Sequence, residues 1–217
     1  MFDAVLFDLD GTLADTAPDL AAALNRVRSD RGLDPIAAPV LRRFTSQGVR
    51  GLLRIGMGIE PGHPDYDALA RTLLDHYALA LCVKTKLFDG MAALLDKLDG
   101  AAIPWGIVTN KRARFTDPLV AALYLSQRAA CVVSGDTTPE TKPSPLPILH
   151  ACHVLGRHPG ATLYVGDDRR DIIAGRAAGT KTAAAAYGYL GDSGPLELWN
   201  ADFIVNHPDE LACRIFA

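Results

Sequence analysis

The sequence predicts an α/β fold built on a parallel sheet, with a helical insertion, and three observations lead to this prediction. Short apolar segments of strand length recur along the 217-residue chain. Segments with the periodicity of amphipathic helices lie between most of them. Alternating strands and helices form right-handed crossovers, which give a parallel sheet covered by helices on both faces. One long stretch after the first apolar segment lacks strand patterning, and it predicts the insertion.

Six apolar segments are predicted to be strands, and four amphipathic segments are predicted to be helices of the core. The strands are 4–7, 105–108, 130–133, 163–165, 182–185 and 203–205, and the helices are 91–98, 118–125, 146–155 and 171–178. Ligands of open parallel sheets bind beyond the carboxyl ends of the strands. Four of the predicted strands end near Asp8, Thr109, Ser134 and Asp167, so we expect a single site at this edge.

Residues 15–86 are predicted to form a helical cap between two parts of a core at 1–14 and 87–217. Thr16 and Asp19 have the spacing of a helix start, with Thr16 as the cap and the acid three residues later. Apolar residues then repeat at helical spacing in two segments, at Leu20, Leu24 and Val27 and at Leu69, Leu73, Tyr77 and Leu81. A cap inserted after the first strand would lie over the strand ends.

Composition excludes several classes of function. The 22 basic and 25 acidic residues give a net charge of -3, and no basic stripe predicts nucleic-acid binding. No apolar run approaches the roughly 20 residues that span a bilayer. Asp3, Asp8 and Asp10 interrupt the region where a secretory signal would be apolar. The four cysteines have no metal-site spacing, so we expect reduced thiols in the cytoplasm, and the oligomeric state stays open.

Asp8 and Asp10 are the first candidate catalytic residues, because they end a hydrophobic run of strand length and are two residues apart. Two buried like charges disfavour each other's ionisation unless a cation or separate protonation roles accommodate them. A carboxylate can attack phosphorus and form an acyl phosphate, which divides a difficult step into two easier ones. The neighbouring Asp10 can protonate the leaving alcohol and then deprotonate water.

The other parts that phosphoryl transfer needs also follow predicted strands or lie in a loop. Thr109 and Asn110 offer a hydroxyl and backbone amides at a helix entry, which is a suitable place for a phosphate. Lys142 can place a positive charge on the phosphoryl oxygens. Asp167, with Asp8, gives an oxygen-only site of the kind that Mg²⁺ prefers.

Several residues have a second interpretation. Asp167 can cap the helix that follows it as well as bind a metal, and for Asp168 capping or a surface role competes with metal contact. Asp171 either supports the site or pairs with Arg169 or Arg170 on the surface. Arg50 either reaches substrate from the cap, where an arginine can bind a carboxylate or phosphate, or is a surface arginine. Lys111 has little support as a site residue.

Four short segments, 8–13, 109–111, 142–143 and 166–171, together resemble the haloacid dehalogenase-like phosphohydrolase superfamily. The resemblance implies a Rossmann-like core, a helical cap and Mg²⁺-dependent hydrolysis through an aspartyl phosphate. It implies the following roles: Asp8 as nucleophile and metal ligand, Asp10 as acid/base and as metal ligand through its backbone carbonyl, Thr109 and Asn110 as phosphoryl ligands, Lys142 as the balancing charge, Asp167 as the third metal ligand, and Asp171 as a support for Lys142 or a metal-bound water.

Within this superfamily, the acid at Asp10 distinguishes phosphatases from dehalogenases. The cap and the segment 166–179 resemble the phosphoglycolate phosphatase branch. The segments 46–50, 86–91, 105–106 and 187–189 resemble its N-acetylmuramic acid 6-phosphate phosphatase subgroup. The resemblance therefore implies a small phosphorylated metabolite as substrate. Two alternatives remain, 2-phosphoglycolate as the true substrate and a sugar phosphate mutase of the beta-phosphoglucomutase type.

Overall fold

The structure, a computed structural model, describes residues 2–216 and confirms the predicted α/β fold. Its strands are β1 (Ala4–Phe7), β2 (Ala14–Asp15), β3 (Lys86–Leu87), β4 (Trp105–Val108), β5 (Cys131–Val133), β6 (Thr162–Gly166), β7 (Lys181–Ala185) and β8 (Phe203–Val205). Its α-helices are α1 (Ala17–Ser29), α2 (Ala38–Arg42), α3 (Gly48–Met57), α4 (Tyr66–Leu79), α5 (Met91–Gly100), α6 (Ala113–Ala122), α7 (Leu146–Leu155), α8 (Arg169–Ala178) and α9 (Pro208–Ile215). No helix within residues 2–216 combines the length and the apolar character needed to cross a bilayer.

Six parallel strands form the central sheet in the order β5-β4-β1-β6-β7-β8. The chain adds β4 and β5 on one side of β1, then crosses over and adds β6, β7 and β8 on the other side. The strand order therefore reverses at β1, whose Phe7 is in register with Ile107 on one side and Val165 on the other. The crevice at such a reversal is where α/β sheets bind ligands.

The side chains of β1 alternate between two hydrophobic cores. Val5 and Phe7 lie in the core that α5, α6 and α9 cover, whereas Leu6 lies in the core that α7 and α8 cover. All four residues of β1 are completely buried, since helices cover both faces of the sheet. This double coverage explains why the strand is apolar throughout rather than alternating.

The helices α1, α3 and α4 pack on one another and share a separate hydrophobic cluster, to which α2 also contributes. Leu24, Leu53 and Tyr77 are buried members from the three larger helices, and Phe115 of α6 joins the cluster from the side of the sheet. The short strands β2 and β3 pair antiparallel at the two ends of this helical segment. The chain therefore enters and leaves the segment through one two-stranded ribbon.

Two predicted helices begin earlier than expected. The helix predicted over 118–125 is α6, which begins at Ala113 and contains Pro118 in its interior. Proline favours the first turn of a helix, but here burial of Phe115 and Leu119 determines where the helix lies. The helix predicted over 171–178 is α8, which begins at Arg169 because Asp168 caps it.

The predicted capping pair of α1 is wrong, although the helix begins where it was expected. No side chain caps the amino terminus of α1. The Thr16 hydroxyl instead donates to Oδ1 of Asp10, and the buried Asp19 carboxylate accepts hydrogen bonds from the backbone of 83–85. Tertiary contacts thus use the two side chains that the local pattern assigned to the helix end.

Candidate active site

A cavity of about 330 Å³ lies at the carboxyl ends of β1, β4 and β6. Eight residues that the sequence singled out line it: Asp8, Asp10, Thr109, Asn110, Lys142, Asp167, Asp168 and Asp171. The helical segment before β3 supplies much of the opposite wall, with Leu20, Thr45, Ser46, Gln47, Gly48, Val49, Leu74 and Tyr77. The sheet edge therefore contributes mostly charged and polar side chains, and the helical segment contributes neutral ones.

Lys142 is buried at the floor of the cavity between two carboxylates. Its Nζ lies 2.8 Å from Oδ1 of Asp8 and 2.7 Å from Oδ1 of Asp171. It also donates hydrogen bonds to the backbone oxygen of Val108 and to the hydroxyl of Tyr164. The contact with Asp8 lacks hydrogen-bond alignment, so it is an interaction of charges. Burial lowers the pKa of Lys142, but Asp171 and Asp8 outweigh it and raise the pKa above its usual value.

Asp8, Asp167 and Asp171 form a cluster of buried carboxylates, each with one oxygen within 4.8 Å of the others. Burial raises the pKa of Asp8 to about 7; Asp171 and Asp10 raise it too, and Lys142 opposes them. Burial, Asp8 and Asp171 raise the pKa of Asp167 well above its usual value. Lys142 alone does not balance three carboxylates in a low dielectric, and such a cluster could hold a divalent metal ion.

Asp167 is fixed by the loop that follows β1 and by the loop that follows β7. Its Oδ1 accepts from the Thr12 hydroxyl at 3.0 Å, and its Oδ2 accepts from the backbone N–H of Tyr189 at 2.8 Å. Gly11 has a φ of 90°, and a Cβ at this position would overlap with the Asp167 carboxylate. Only glycine allows the backbone after β1 to pass so close to the acid.

Asp168 and Asp171 form a reciprocal cap at the start of α8. The Asp168 side chain accepts from the backbone N–H of Arg170 at 2.9 Å, and Oδ2 of Asp171 accepts from the backbone N–H of Asp168 at 3.0 Å. Asp168 therefore has the capping role that was one of its two interpretations. Asp171 contacts Lys142 rather than Arg169 or Arg170, so its alternative as a surface ion pair is wrong.

Thr109 and Asn110 lie at the end of β4, beside Lys142. The Thr109 hydroxyl accepts from the backbone N–H of Lys111 at 3.2 Å. Both ends of the Asn110 amide bind the backbone of Lys142, with Oδ1 accepting at 3.0 Å and Nδ2 donating at 2.9 Å. The Asn110 side chain thus holds the lysine loop in place.

The structure does not bring Arg50 to the cavity, since its side chain is exposed and its neighbour Val49 lines the wall instead. Lys111, which had little support from the sequence, lines the cavity in the structure. Its Nζ lies 2.9 Å from Oδ1 of Asp10, and only 9% of its side chain is exposed. Burial lowers the pKa of Lys111, but Asp10 and Tyr77 raise it above the usual value. Its position directly after Thr109 and Asn110 was the available signal.

Comparisons with known proteins identify the family of the chain. The model of the haloacid dehalogenase-like hydrolase family matches residues 5–185, which cover most of the chain. The chain belongs to this family. A protein named N-acetylmuramic acid 6-phosphate phosphatase from Pseudomonas putida is 41% identical over 208 residues, covering 96% of this chain and 93% of that protein. A phosphoglycolate phosphatase from Xanthomonas campestris pv. campestris is 43% identical over 212 residues, covering 96% and 94%.

Solved structures of the haloacid dehalogenase type share the fold. The crystal structure of a "predicted phosphoglycolate phosphatase" from Haemophilus somnus 129PT superposes with a TM-score of 0.86 at 26% identity, covering 100% of this chain and 98% of that one. The resemblance seen in the sequence is therefore confirmed for both family and fold. The chain is an enzyme, a phosphatase of the haloacid dehalogenase type.

Proposed function

We propose that the enzyme is a Mg²⁺-dependent phosphomonoesterase that hydrolyses a small phosphorylated metabolite through an aspartyl phosphate at Asp8. One observation carries the proposal: Asp8 lines the cavity within 2.8 Å of the Lys142 ammonium and shares a carboxylate cluster with Asp167. A nucleophile, a balancing cation and a hard oxygen site are the parts that phosphoryl transfer needs in one place.

In the first step, an Asp8 carboxylate oxygen bonds to phosphorus while the bond from phosphorus to the substrate alcohol breaks. Asp10 gives its proton to the departing oxygen, so the alcohol leaves neutral. Lys142 stabilises the negative charge of the phosphoryl oxygens, and Thr109 and the amides of its turn donate to them.

In the second step, a water oxygen bonds to phosphorus and passes a proton to the Asp10 carboxylate. The bond between phosphorus and Asp8 breaks, and its electron pair returns to the Asp8 carboxylate. Inorganic phosphate leaves, and Asp10 is again protonated for the next substrate. This residue thus alternates between acid and base, a contribution of about 10²–10⁴ in rate.

The residues present fit Mg²⁺, because the donors are buried carboxylates with more negative charge than Lys142 neutralises. Asp8 and Asp167 would hold the ion through their carboxylates, and Asp10 through its backbone oxygen. When bound, Mg²⁺ supplies positive charge to the phosphoryl group and lowers repulsion of the attacking carboxylate. Asp171 keeps Lys142 in place beside this site.

We propose that residues 15–86 act as the cap, with the β2–β3 ribbon as their connection to the core. Asp19 of α1 binds the backbone of 83–85, so both ends of the segment are tied together. The cap would enclose the reaction and exclude bulk water. A cytoplasmic location stays a prediction of the sequence.

For the substrate, we propose N-acetylmuramic acid 6-phosphate. The cavity of about 330 Å³ is roomy for a two-carbon acid and suits a phosphorylated amino sugar. Ser46 on the cap wall has a buried hydroxyl without a hydrogen-bond partner in residues 2–216, and it can bind a sugar hydroxyl or amide. The relative from Pseudomonas putida is named for this substrate.

Arg112 is the residue that we assign to the carboxylate of the substrate. Four cations line the cavity, of which Lys111, Lys142 and Arg170 each contact an aspartate within 3.0 Å. Arg112 is exposed at its rim and has no ion-pair partner in the part of the chain that the structure describes. An arginine in this position can bind a carboxylate through two hydrogen bonds.

A panel of phosphate esters tests the function and the substrate together. N-acetylmuramic acid 6-phosphate should give the highest kcat/KM, above N-acetylglucosamine 6-phosphate, which lacks the carboxylate, and above 2-phosphoglycolate. Arg112→Gln should reduce this preference over N-acetylglucosamine 6-phosphate, whereas Arg50→Gln should leave it unchanged. If 2-phosphoglycolate gives the highest kcat/KM, we would assign phosphoglycolate phosphatase activity instead, for which the relative from Xanthomonas campestris is named.

The same panel separates hydrolysis from the mutase alternative. A phosphatase releases free phosphate in step with substrate loss, whereas a mutase yields an isomeric sugar phosphate. Asp8→Asn should abolish phosphate release while the circular dichroism spectrum stays that of the parent protein. An active Asp8→Asn enzyme would refute the aspartyl phosphate mechanism.

A further inference from the structure

Lys111 and Tyr77 form a chain of contacts that ends on Asp10, and the proposed mechanism uses neither of them. Lys111 Nζ lies 2.9 Å from Oδ1 of Asp10 and donates to the Tyr77 hydroxyl at 3.1 Å. The same ammonium lies 4.7 Å from the centre of the Tyr77 ring, within the range of a cation–π interaction. Tyr77 is 1% exposed, so the contact is enclosed. Burial raises the pKa of Tyr77 to about 12, and the phenol therefore stays neutral.

This chain of contacts joins two separate parts of the molecule. Tyr77 belongs to α4 in the helical segment, whereas Lys111 follows β4 and Asp10 follows β1. The Tyr77 ring also packs against Phe115 of α6 at 5.7 Å between ring centres. The place of Lys111 therefore depends on α4 lying over the sheet edge.

The two oxygens of Asp10 have different surroundings. Oδ1 contacts the Lys111 ammonium and accepts the hydrogen bond of the Thr16 hydroxyl. Oδ2 has no hydrogen bond or ion pair in residues 2–216, although Asp10 lines the cavity. A carboxylate held through one oxygen presents the other in a fixed direction, and a fixed direction is what proton transfer requires.

We propose that Lys111 is a positioning residue that directs Oδ2 of Asp10 at the reacting oxygen, and that Tyr77 places Lys111 when α4 covers the site. The acid/base is then complete only in the covered state. This inference rests on the proposed function, because it assigns the proton transfers to Asp10. In the second step, the water proton passes to Oδ2 as the oxygen bonds to phosphorus and the bond to Asp8 breaks.

Lys111→Met tests the inference with p-nitrophenyl phosphate as the probe. The p-nitrophenolate group leaves with little need of a proton, so formation of the aspartyl phosphate stays fast. Hydrolysis of the aspartyl phosphate needs Asp10 as a base, and it should slow. We expect kcat to fall by about 10- to 100-fold, as part of the usual acid–base contribution. Stopped-flow absorbance should then show a burst of p-nitrophenol that approaches one per active site.

Tyr77→Phe and Lys111→Arg make the test specific. Tyr77→Phe keeps the ring and removes the hydroxyl that accepts from Lys111, so it should give a smaller loss of kcat and a smaller burst. Lys111→Arg keeps the charge and should recover much of the turnover. The double variant of Tyr77→Phe and Lys111→Met should be no slower than Lys111→Met alone, because the two residues act in series.

Lys181→Met is the matched control, because it removes a lysine–aspartate contact of 2.7 Å that does not line the cavity. It should leave kcat unchanged and give no burst. Parental turnover in Lys111→Met would overturn the inference. A fall in kcat that shows no burst, and that Lys111→Arg does not restore, would also overturn it. A parent enzyme that releases no phosphate from any ester would instead refute the proposed function.

Discussion

At the scale of single residues, Asp8 connects the protonation of the site to the stability of the fold. Its pKa is raised from 3.8 to about 7 by burial, Asp171 and Asp10, against the opposing effect of Lys142. Between pH 3.8 and about pH 7, Asp8 holds a proton in the folded protein that it has released in the unfolded chain. Asp8 therefore stabilises the metal-free fold at low pH, and this stabilisation is lost as the pH rises through about 7.

We predict that the affinity for Mg²⁺ increases with pH over the same range. The ion requires an ionised Asp8, so binding must displace the proton. Asp8 should make the apparent dissociation constant fall by up to about tenfold per pH unit below pH 7, and the raised pKa of Asp167 should add to this dependence. Isothermal titration calorimetry at pH values on both sides of 7 measures this slope.

Two variants show whether Asp8 is the source of the slope. Asp8→Asn removes the titrating group and should give weak binding with a flattened pH dependence. Asp89→Asn changes a carboxylate whose side chain is 88% exposed and should retain the parental slope. Parental binding that does not change with pH would contradict the assignment of the metal to Asp8.

Residues of the candidate site were predictable from the sequence where an acidic or polar residue directly follows an apolar strand. Asp8 and Asp167 were recognised in this way and Lys142 as a lysine in a loop, and the structure brings all three to one cavity. Lys111 was missed because a lysine in a turn is usually solvated, and its burial depends on Tyr77, which is 34 residues away in sequence. The hydrogen bonds between the Asn110 side chain and the Lys142 backbone were missed too, because these residues are 32 positions apart in sequence.

At the scale of elements, Asp19 shows how a tertiary contact replaces a local one. The sequence before α1 has the pattern of a capping box, yet the Asp19 carboxylate accepts from the backbone N–H groups of Val83, Lys84 and Thr85 and from the Thr85 hydroxyl. It is 3% exposed. The carboxylate thereby fixes the end of the helical segment to its beginning.

We predict that Asp19→Ala destabilises the protein by about 2–4 kcal/mol, because a buried carboxylate that accepts from three backbone N–H groups and the buried Thr85 hydroxyl is lost. Urea denaturation measures the loss. Asp75→Ala on α4 is the control, since this side chain is 65% exposed and its contact with Arg114 is 3.8 Å long. It should change stability by less than about 0.5 kcal/mol. Equal stability of Asp19→Ala and the parent would show that other contacts hold the segment.

The strands were predicted more accurately than the helix ends. All six segments proposed for the core sheet are strands, with ends within about one residue, because buried parallel strands are continuous apolar runs. The start of α6 was missed by five residues, since Pro118 resembles a first-turn residue and only the packing of Phe115 reveals the earlier start. Helix ends depend on contacts that a periodic pattern does not contain.

At the scale of the whole molecule, the cavity belongs to neither part of the chain alone. The parallel sheet follows from the alternation of strands and helices, whereas its strand order and the reversal at β1 are seen only in the structure. The wall opposite Asp8 comes from 45–49 and from Tyr77, and no spacing in the sequence indicates that these residues face the sheet edge. Resemblance to a family implied a cap, but the contacts between residues 15–86 and the sheet edge are seen only in the structure.

We predict that a mimic of the aspartyl phosphate protects both walls of this cavity at once. Beryllofluoride with Mg²⁺ attaches to phosphoryl-accepting aspartates, so it should occupy the Asp8 side of the cavity. Hydrogen–deuterium exchange should then slow at 109–112 and 167–171, and also at 45–49 across the cavity, because all three segments contribute lining residues. The Asp8→Asn protein should show no such change, since it cannot bind the mimic. Slower exchange confined to the sheet side would mean that the helical segment does not close on the occupied site, and the proposal that residues 15–86 act as a cap would fail.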